Sequence, residues 1–343
     1  MTGSAIGVIK VRKAGPDIIR AFAIFFVMLT HMFSYSGTLG LDLRSPAWCA
    51  RMALHYIGLI CVPLFLLLTG YLQSERRFDK RHYLSLLPVV ISYLVIITVT
   101  EVLKVRAQGM PEGGVGRIII NVLGCNDGYS WYVGMYLGLA LLIPFINAGF
   151  AATGRKEQRI IIGSLVLLTM LPTTAKSFIV TGIWFDFLPD FFEFLYPLTY
   201  YLIGAYIHKY KCSPPYALCA AVFALTLCFE TAAGWAFARN EYPWWLFNDN
   251  GELPLAIAAV SFFLMLHRVG GSRLSKAAGR ICREISACAF EMYLISYITD
   301  GYFYTHLPYA KWQILFINFA VCFAAARLLR LLLEPVYKAI KRL

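Results

Sequence analysis

Charge is scarce in this chain. Of its 343 residues only 15% are charged, while 59% are hydrophobic and the mean hydropathy is +0.65. Soluble domains carry about 25% charged residues, so the deficit excludes an ordinary soluble enzyme. Paired cysteines are missing too: the nine cysteines are scattered, none forms C-x-x-C, and a disulfide framework or zinc ribbon is excluded. No two histidines stand at metal-ligand spacing, so no metal is expected. There is no long polar stretch, hence no appended soluble domain is expected and residues 1–343 read as one transmembrane domain. Neither a cleavable signal peptide nor an internal repeat is visible.

What is present is a succession of apolar runs near 20 residues, long enough to cross a hydrocarbon layer of about 30 Å. The expected fold is an all-α polytopic bundle of about ten helices, at 17–37, 51–72, 84–104, 129–148, 160–180, 191–208, 215–236, 253–269, 285–304 and 312–333. The net charge of +12 would suit a nucleic-acid partner in a soluble protein. In a membrane protein it marks cytoplasmic loops instead, and no nucleic acid is expected. About twenty basic residues fall in one alternate set of loops and about eight in the other. The first set includes Lys10, Arg12, Lys13, Arg76, Arg77, Arg155, Arg273, Lys276, Arg280 and Arg283. The second carries most of the acids, such as Asp42, Asp127, Asp186 and Asp249, and the aromatics Trp184, Phe185, Trp244 and Trp245. Both termini are therefore expected in the cytoplasm.

The first run, "RAFAIFFVMLTH" (20–31), begins with a permanent charge and ends with a titratable ring. At ~100° and ~1.5 Å per residue, Arg20 and His31 share one helical face, roughly 16 Å apart along the axis. Either alone reads equally well as a membrane anchor or an interhelical hydrogen-bonding ring. Two polar groups aligned within a span point to function. Glu230 and Glu291 are the acids noted inside expected spans; the remaining histidines, His55, His82, His208, His267 and His306, fall near helix ends, where surface or interfacial roles are expected.

R-x10-H in a first helix resembles the signature of the acyltransferase 3 family, integral membrane enzymes that acylate sugars and lipids. Further stretches are similar to the same family in the same order: "VPLFLLLTGYL" (62–72), "FDKRHYLSLLP" (78–88), "YSWYVGMYLGLALLIPFIN" (129–147), "YYLIGAYIHKY" (200–210) and "AFEMYLISY" (289–297). Together they cover most of the chain. The family often has histidine where this chain has Tyr129 and Ser296, so His31 is the remaining base candidate.

The resemblance implies acyl transfer, with acetyl expected, from acyl-CoA to a hydroxyl of a carbohydrate or lipid-linked sugar, in a bacterial inner (plasma) membrane. A hydroxyl needs a base near neutral pH, and histidine suits that task. His31 is the expected general base, and Glu291 could orient it as an acid does in a triad. A structural ion pair between Glu291 and an arginine is the equal alternative. Tyr129, Ser130 and Trp131 are candidate donors to the developing oxyanion, or else interfacial anchors. Arg20, Arg76, Arg77 and Arg81 are candidates for the CoA phosphates, which the planar guanidinium fits; plain topology is the competing reading for the loop cluster, and Arg20 and Arg81, nearest the spans, are the stronger candidates. A separate partner protein is one route for completing the transfer. A saccharide transporter or flippase, and a small-molecule or lipid receptor, are the competing readings.

Overall fold

The computed structural model describes residues 14–124, 129–179, 190–270 and 276–342. Of the loop residues named above, Lys10, Arg12, Lys13, Asp127, Trp184, Phe185, Asp186 and Arg273 lie outside these. Among the described residues the secondary structure is entirely helical. The helices are α1 (Gly15–Ser36), α2 (Pro46–Leu59), α3 (Cys61–Gln73), α4 (Lys80–Leu84), α5 (Leu87–Gln108), α6 (Gly114–Gly124) and α7 (Trp131–Ala151). They continue with α8 (Arg155–Leu165), α9 (Leu171–Ile179), α10 (Tyr196–Tyr210), α11 (Tyr216–Phe237), α12 (Leu253–Leu266), α13 (Lys276–His306) and α14 (Lys311–Ile340). Seven stretches among the described residues are long and apolar enough to cross a membrane: α1, α2–α3, α4–α5, α7, α8–α9, α11 and α14. The chain is an integral, multi-pass membrane protein.

Local chemistry sets several boundaries. Pro16 opens α1, where its missing N–H is no loss, and Gly37 closes it at φ 64°, in the left-handed region that glycine adopts without strain. The run expected as one helix over 51–72 is broken at Ile60. Pro63 causes the break, because its nitrogen cannot donate to the carbonyl of Leu59. Asp79 caps α4 by accepting from the Arg81 amide at 3.2 Å. The sequence expects α13 over 285–304, yet it begins at Lys276: Lys276, Arg280 and Arg283 are good helix formers, and the helix carries them beyond the apolar section. The amphipathic α6 was not expected, since it is too short and too polar at its ends to read as a span.

α1 occupies the centre, packed against α2, α3, α12, α13 and α14. It runs parallel to α13: Arg20 meets Ser286 and His31 meets Asp300. Its apolar faces are tightly buried, with Ile19, Ala23, Ile24 and Met28 fully enclosed. α3 and α10 touch backbone to backbone. A Cβ on Gly70 would stand 1.9 Å from the Tyr201 carbonyl oxygen, and one on Gly204 would stand 2.1 Å from that of Leu67. Small residues permit such contact between membrane helices, where dispersion rather than hydrophobic exclusion drives association.

Candidate active site

A cavity of about 600 Å³ runs along α1, lined from Arg20 at one end to His31, Ser34 and Tyr35 at the other. The break at Ile60 places Leu59, Cys61 and Val62 on its wall, and Tyr129, Trp131, Tyr132, Phe290 and Tyr293 complete much of the rest. The expected shared face of Arg20 and His31 is therefore the face turned to this space. No other histidine lines it. His55, His82 and His267 are buried rather than surface groups, at 4%, 1% and 4% exposure. His82 Nε2 lies 2.8 Å from the Ala140 carbonyl, and His55 Nε2 lies 3.1 Å from the Tyr242 hydroxyl. Burial is affordable for each because the ring meets a polar partner.

His31 Nδ1 stands 2.8 Å from Asp300 Oδ2. The histidine side chain is 20% exposed and the aspartate fully buried. The second oxygen of Asp300 accepts from Asn318 Nδ2 at 2.6 Å. An ionised Asp300 at this distance favours the tautomer with the proton on Nδ1, which leaves Nε2 without one.

Glu291, expected to orient His31, is elsewhere. Its Oε1 accepts from Arg330 Nη1 at 3.0 Å and from Ser92 Oγ at 3.0 Å. Nine residues along a helix is about two and a half turns, so Glu291 and Asp300 project from opposite sides of α13. Sequence reasoning missed Asp300 although it lies inside the expected 285–304 helix. The available signal was Ser296: one turn away at i−4, it shares a face with Asp300 and sits where the family often has histidine. Glu230 is fully buried on α11, and neither of its oxygens finds a hydrogen-bond partner among the described residues.

Tyr129 lies just before α7 with its hydroxyl 3.3 Å from His31 Nδ1. That hydroxyl donates to the Tyr293 carbonyl at 2.9 Å and also contacts Ser296 Oγ. Tyr293 in turn donates to the Tyr129 carbonyl, and the two rings stack 5.2 Å apart. Tyr129 and Ser296, the two positions where the family often has histidine, thus meet each other, and Tyr129 reaches His31. Trp131 is 41% exposed and lines the cavity, while Ser130 is buried.

At the other end, Arg20 Nη1 donates to Ser286 Oγ at 3.0 Å, and that hydroxyl donates to Asp17 Oδ1 at 3.0 Å. Arg20, Ser286 and Ala287 also line a second cavity of about 600 Å³, whose walls add the cations Arg280 and Arg283 and the acids Asp17 and Glu284. The two spaces adjoin at Arg20. Arg76, Arg77 and Arg81 are exposed and line neither. Arg280 and Arg283 were read in sequence only as loop charge, because the helix that carries them to Arg20 begins earlier than the apolar pattern indicates.

A family model described as an acyltransferase domain matches residues 13–330, nearly the whole chain. The chain belongs to the acyltransferase 3 family. No curated protein and no solved structure matches it. This membrane acyltransferase carries the first-helix Arg20 and His31 on one cavity, and the transporter and receptor readings give way to an enzyme.

Proposed function

We propose that this acyltransferase moves an acyl group, with acetyl the simplest case, from acyl-CoA to a hydroxyl of a carbohydrate or lipid-linked sugar. The observation that carries this reading is the single cavity shared by Arg20 and His31. Arg20, with Arg280 and Arg283, offers guanidinium groups to the CoA phosphates at one end. The extended pantetheine arm, comparable to about five residues of extended chain at ~3.3 Å each, matches the interval to His31, so the thioester carbonyl arrives beside Nε2. The bias of loop charge supports an orientation with the Arg20 end toward the cytoplasm, where acyl-CoA is made, and the acceptor approaching from the membrane or outer face. The setting that fits is a bacterial inner membrane.

In the reaction, the acceptor oxygen attacks the thioester carbon while His31 Nε2 takes its proton. The carbonyl π electrons move to oxygen, and Asp300 stabilises the imidazolium across Nδ1. Collapse re-forms the carbonyl and breaks the C–S bond. The CoA sulfur leaves with its electron pair and takes the proton back from Nε2, giving ester and free CoA. Trp131, on the cavity wall, and Tyr129, beside His31, are the candidate oxyanion donors, Tyr129 only if its hydroxyl turns from the Tyr293 carbonyl.

The test is acyl transfer from labelled acetyl-CoA by purified protein in lipid, comparing wild type with His31→Gln. Glutamine keeps size and some hydrogen bonding but takes no proton at neutral pH. Transfer is expected to fall about 10²–10⁴-fold while acetyl-CoA still binds. A glutamine variant that transfers at the wild-type rate overturns the reading.

A further inference from the structure

We propose that Asn318 is a positioning residue for proton transfer at His31, acting through Asp300. The inference rests on the acyl-transfer reading above. Three helices meet here: His31 comes from α1, Asp300 from α13 and Asn318 from α14. Asp300 and Asn318 are both fully buried. One oxygen of Asp300 faces His31 Nδ1 at 2.8 Å and the other faces Asn318 Nδ2 at 2.6 Å. The amide is held that way round, because its own oxygen accepts from Cys322 Sγ at 3.4 Å. Rotating it would set two oxygens against each other beside a buried carboxylate and leave the amide nitrogen against a sulfur.

The chemical consequence concerns where one proton sits. A buried carboxylate needs donors to remain ionised. His31 is basic at Nε2 only while Asp300 is an anion accepting from Nδ1–H. If the Asn318 donor is lost, the forms with Asp300 ionised are destabilised equally, whether His31 is neutral or protonated. The singly protonated pair is thereby biased toward carrying its proton on Asp300 instead of His31. Recovering the base-competent form, with Asp300 ionised and His31 neutral, now requires a higher pH. The acid limb of the rate profile therefore moves toward alkaline pH, which loss of packing alone does not produce.

Other titratable groups around Asp300 are Tyr35 on α1, Tyr129 ahead of α7, Tyr297 and Tyr304 on α13 and Cys322 on α14, with Lys104 of α5 set over the Tyr297 ring at 4.7 Å. Lys104 is paired with Glu101 at 2.9 Å, which balances its charge.

The experiment measures release of free CoA from labelled acetyl-CoA by the purified full chain in lipid, from pH 5 to 9, for wild type, Asn318→Leu and Asn318→Asp. Asn318→Leu is expected to lower the rate about tenfold at pH 7. Its acid limb should move up by about one pH unit, with the KM for acetyl-CoA within about twofold of wild type. Asn318→Asp should move the limb further, because two facing carboxyls share a proton; it also decides the matter if the leucine variant does not fold. An unshifted limb in a folded variant, whether its rate is normal or uniformly reduced, overturns the inference. A fully active His31→Gln would instead remove the acyl-transfer reading on which it rests.

Discussion

Asp300 stands nine residues beyond Glu291 on α13, on the opposite side of that helix, and it is Asp300 whose carboxylate meets His31, at 2.8 Å. Glu291 meets Arg330. Two acids of one helix therefore face different partners, one a histidine that lines the cavity and the other an arginine of α14.

Separating the two is straightforward. Asp300→Asn leaves the shape but lets His31 take the wrong tautomer, and transfer is expected to fall about 10²–10⁴-fold with acyl-CoA binding intact. Glu291→Gln should keep most of the transfer rate but lower stability by about 1–3 kcal/mol, because Arg330 loses its charged partner. Turnover assays paired with thermal unfolding in detergent distinguish these outcomes. Loss of transfer in a well-folded Glu291→Gln would reverse the assignment.

The arginines divide by position. Arg20→Ala and Arg283→Ala are each expected to weaken acyl-CoA binding by roughly tenfold or more, the loss of one charge-assisted contact of about 1.5–3 kcal/mol. Arg76→Ala, Arg77→Ala and Arg81→Ala should change it by less than about twofold, because these side chains line neither cavity. Calorimetry or filter binding with acetyl-CoA reads the difference. Equal losses across all five variants would mean that the phosphates bind outside the cavity.

Topology is tested by cysteine labelling with a membrane-impermeant reagent. Asp249→Cys should be modified from outside intact cells, and Lys276→Cys only after permeabilisation. The opposite pattern would place the Arg20 end of the cavity away from cytoplasmic CoA.

The α3–α10 contact has little tolerance. Gly204→Ala inserts a Cβ 2.1 Å from the Leu67 carbonyl oxygen, and backbone rather than a flexible side chain must move. A loss of about 3 kcal/mol is expected, measured as a lower unfolding midpoint in detergent. Gly138→Ala, which meets nothing within 4 Å, is the control and should be neutral within about 0.5 kcal/mol.

Much of this was legible in the chain. Apolar runs locate the helices because hydrocarbon accepts only backbone whose hydrogen bonds are satisfied internally. The eleven-residue interval between Arg20 and His31 places them on one face because helical pitch is a local property. The break within 51–72 was legible in Pro63 and passed unread. So was Asp300, since an acid inside a span asks for a partner whatever its neighbours.

The sequence by itself determined an all-helical membrane chain of the acyltransferase 3 family, with the first helix presenting an arginine and a histidine together. Only the tertiary structure decided which acid reaches the histidine, that Asn318 backs it from α14, and that Arg280 and Arg283 join Arg20 while Arg76, Arg77 and Arg81 stay outside. The physical reason is range. Periodicity and hydropathy are written residue by residue along one helix, whereas these meetings join positions up to 269 residues apart and depend on how each helix is rotated against α1.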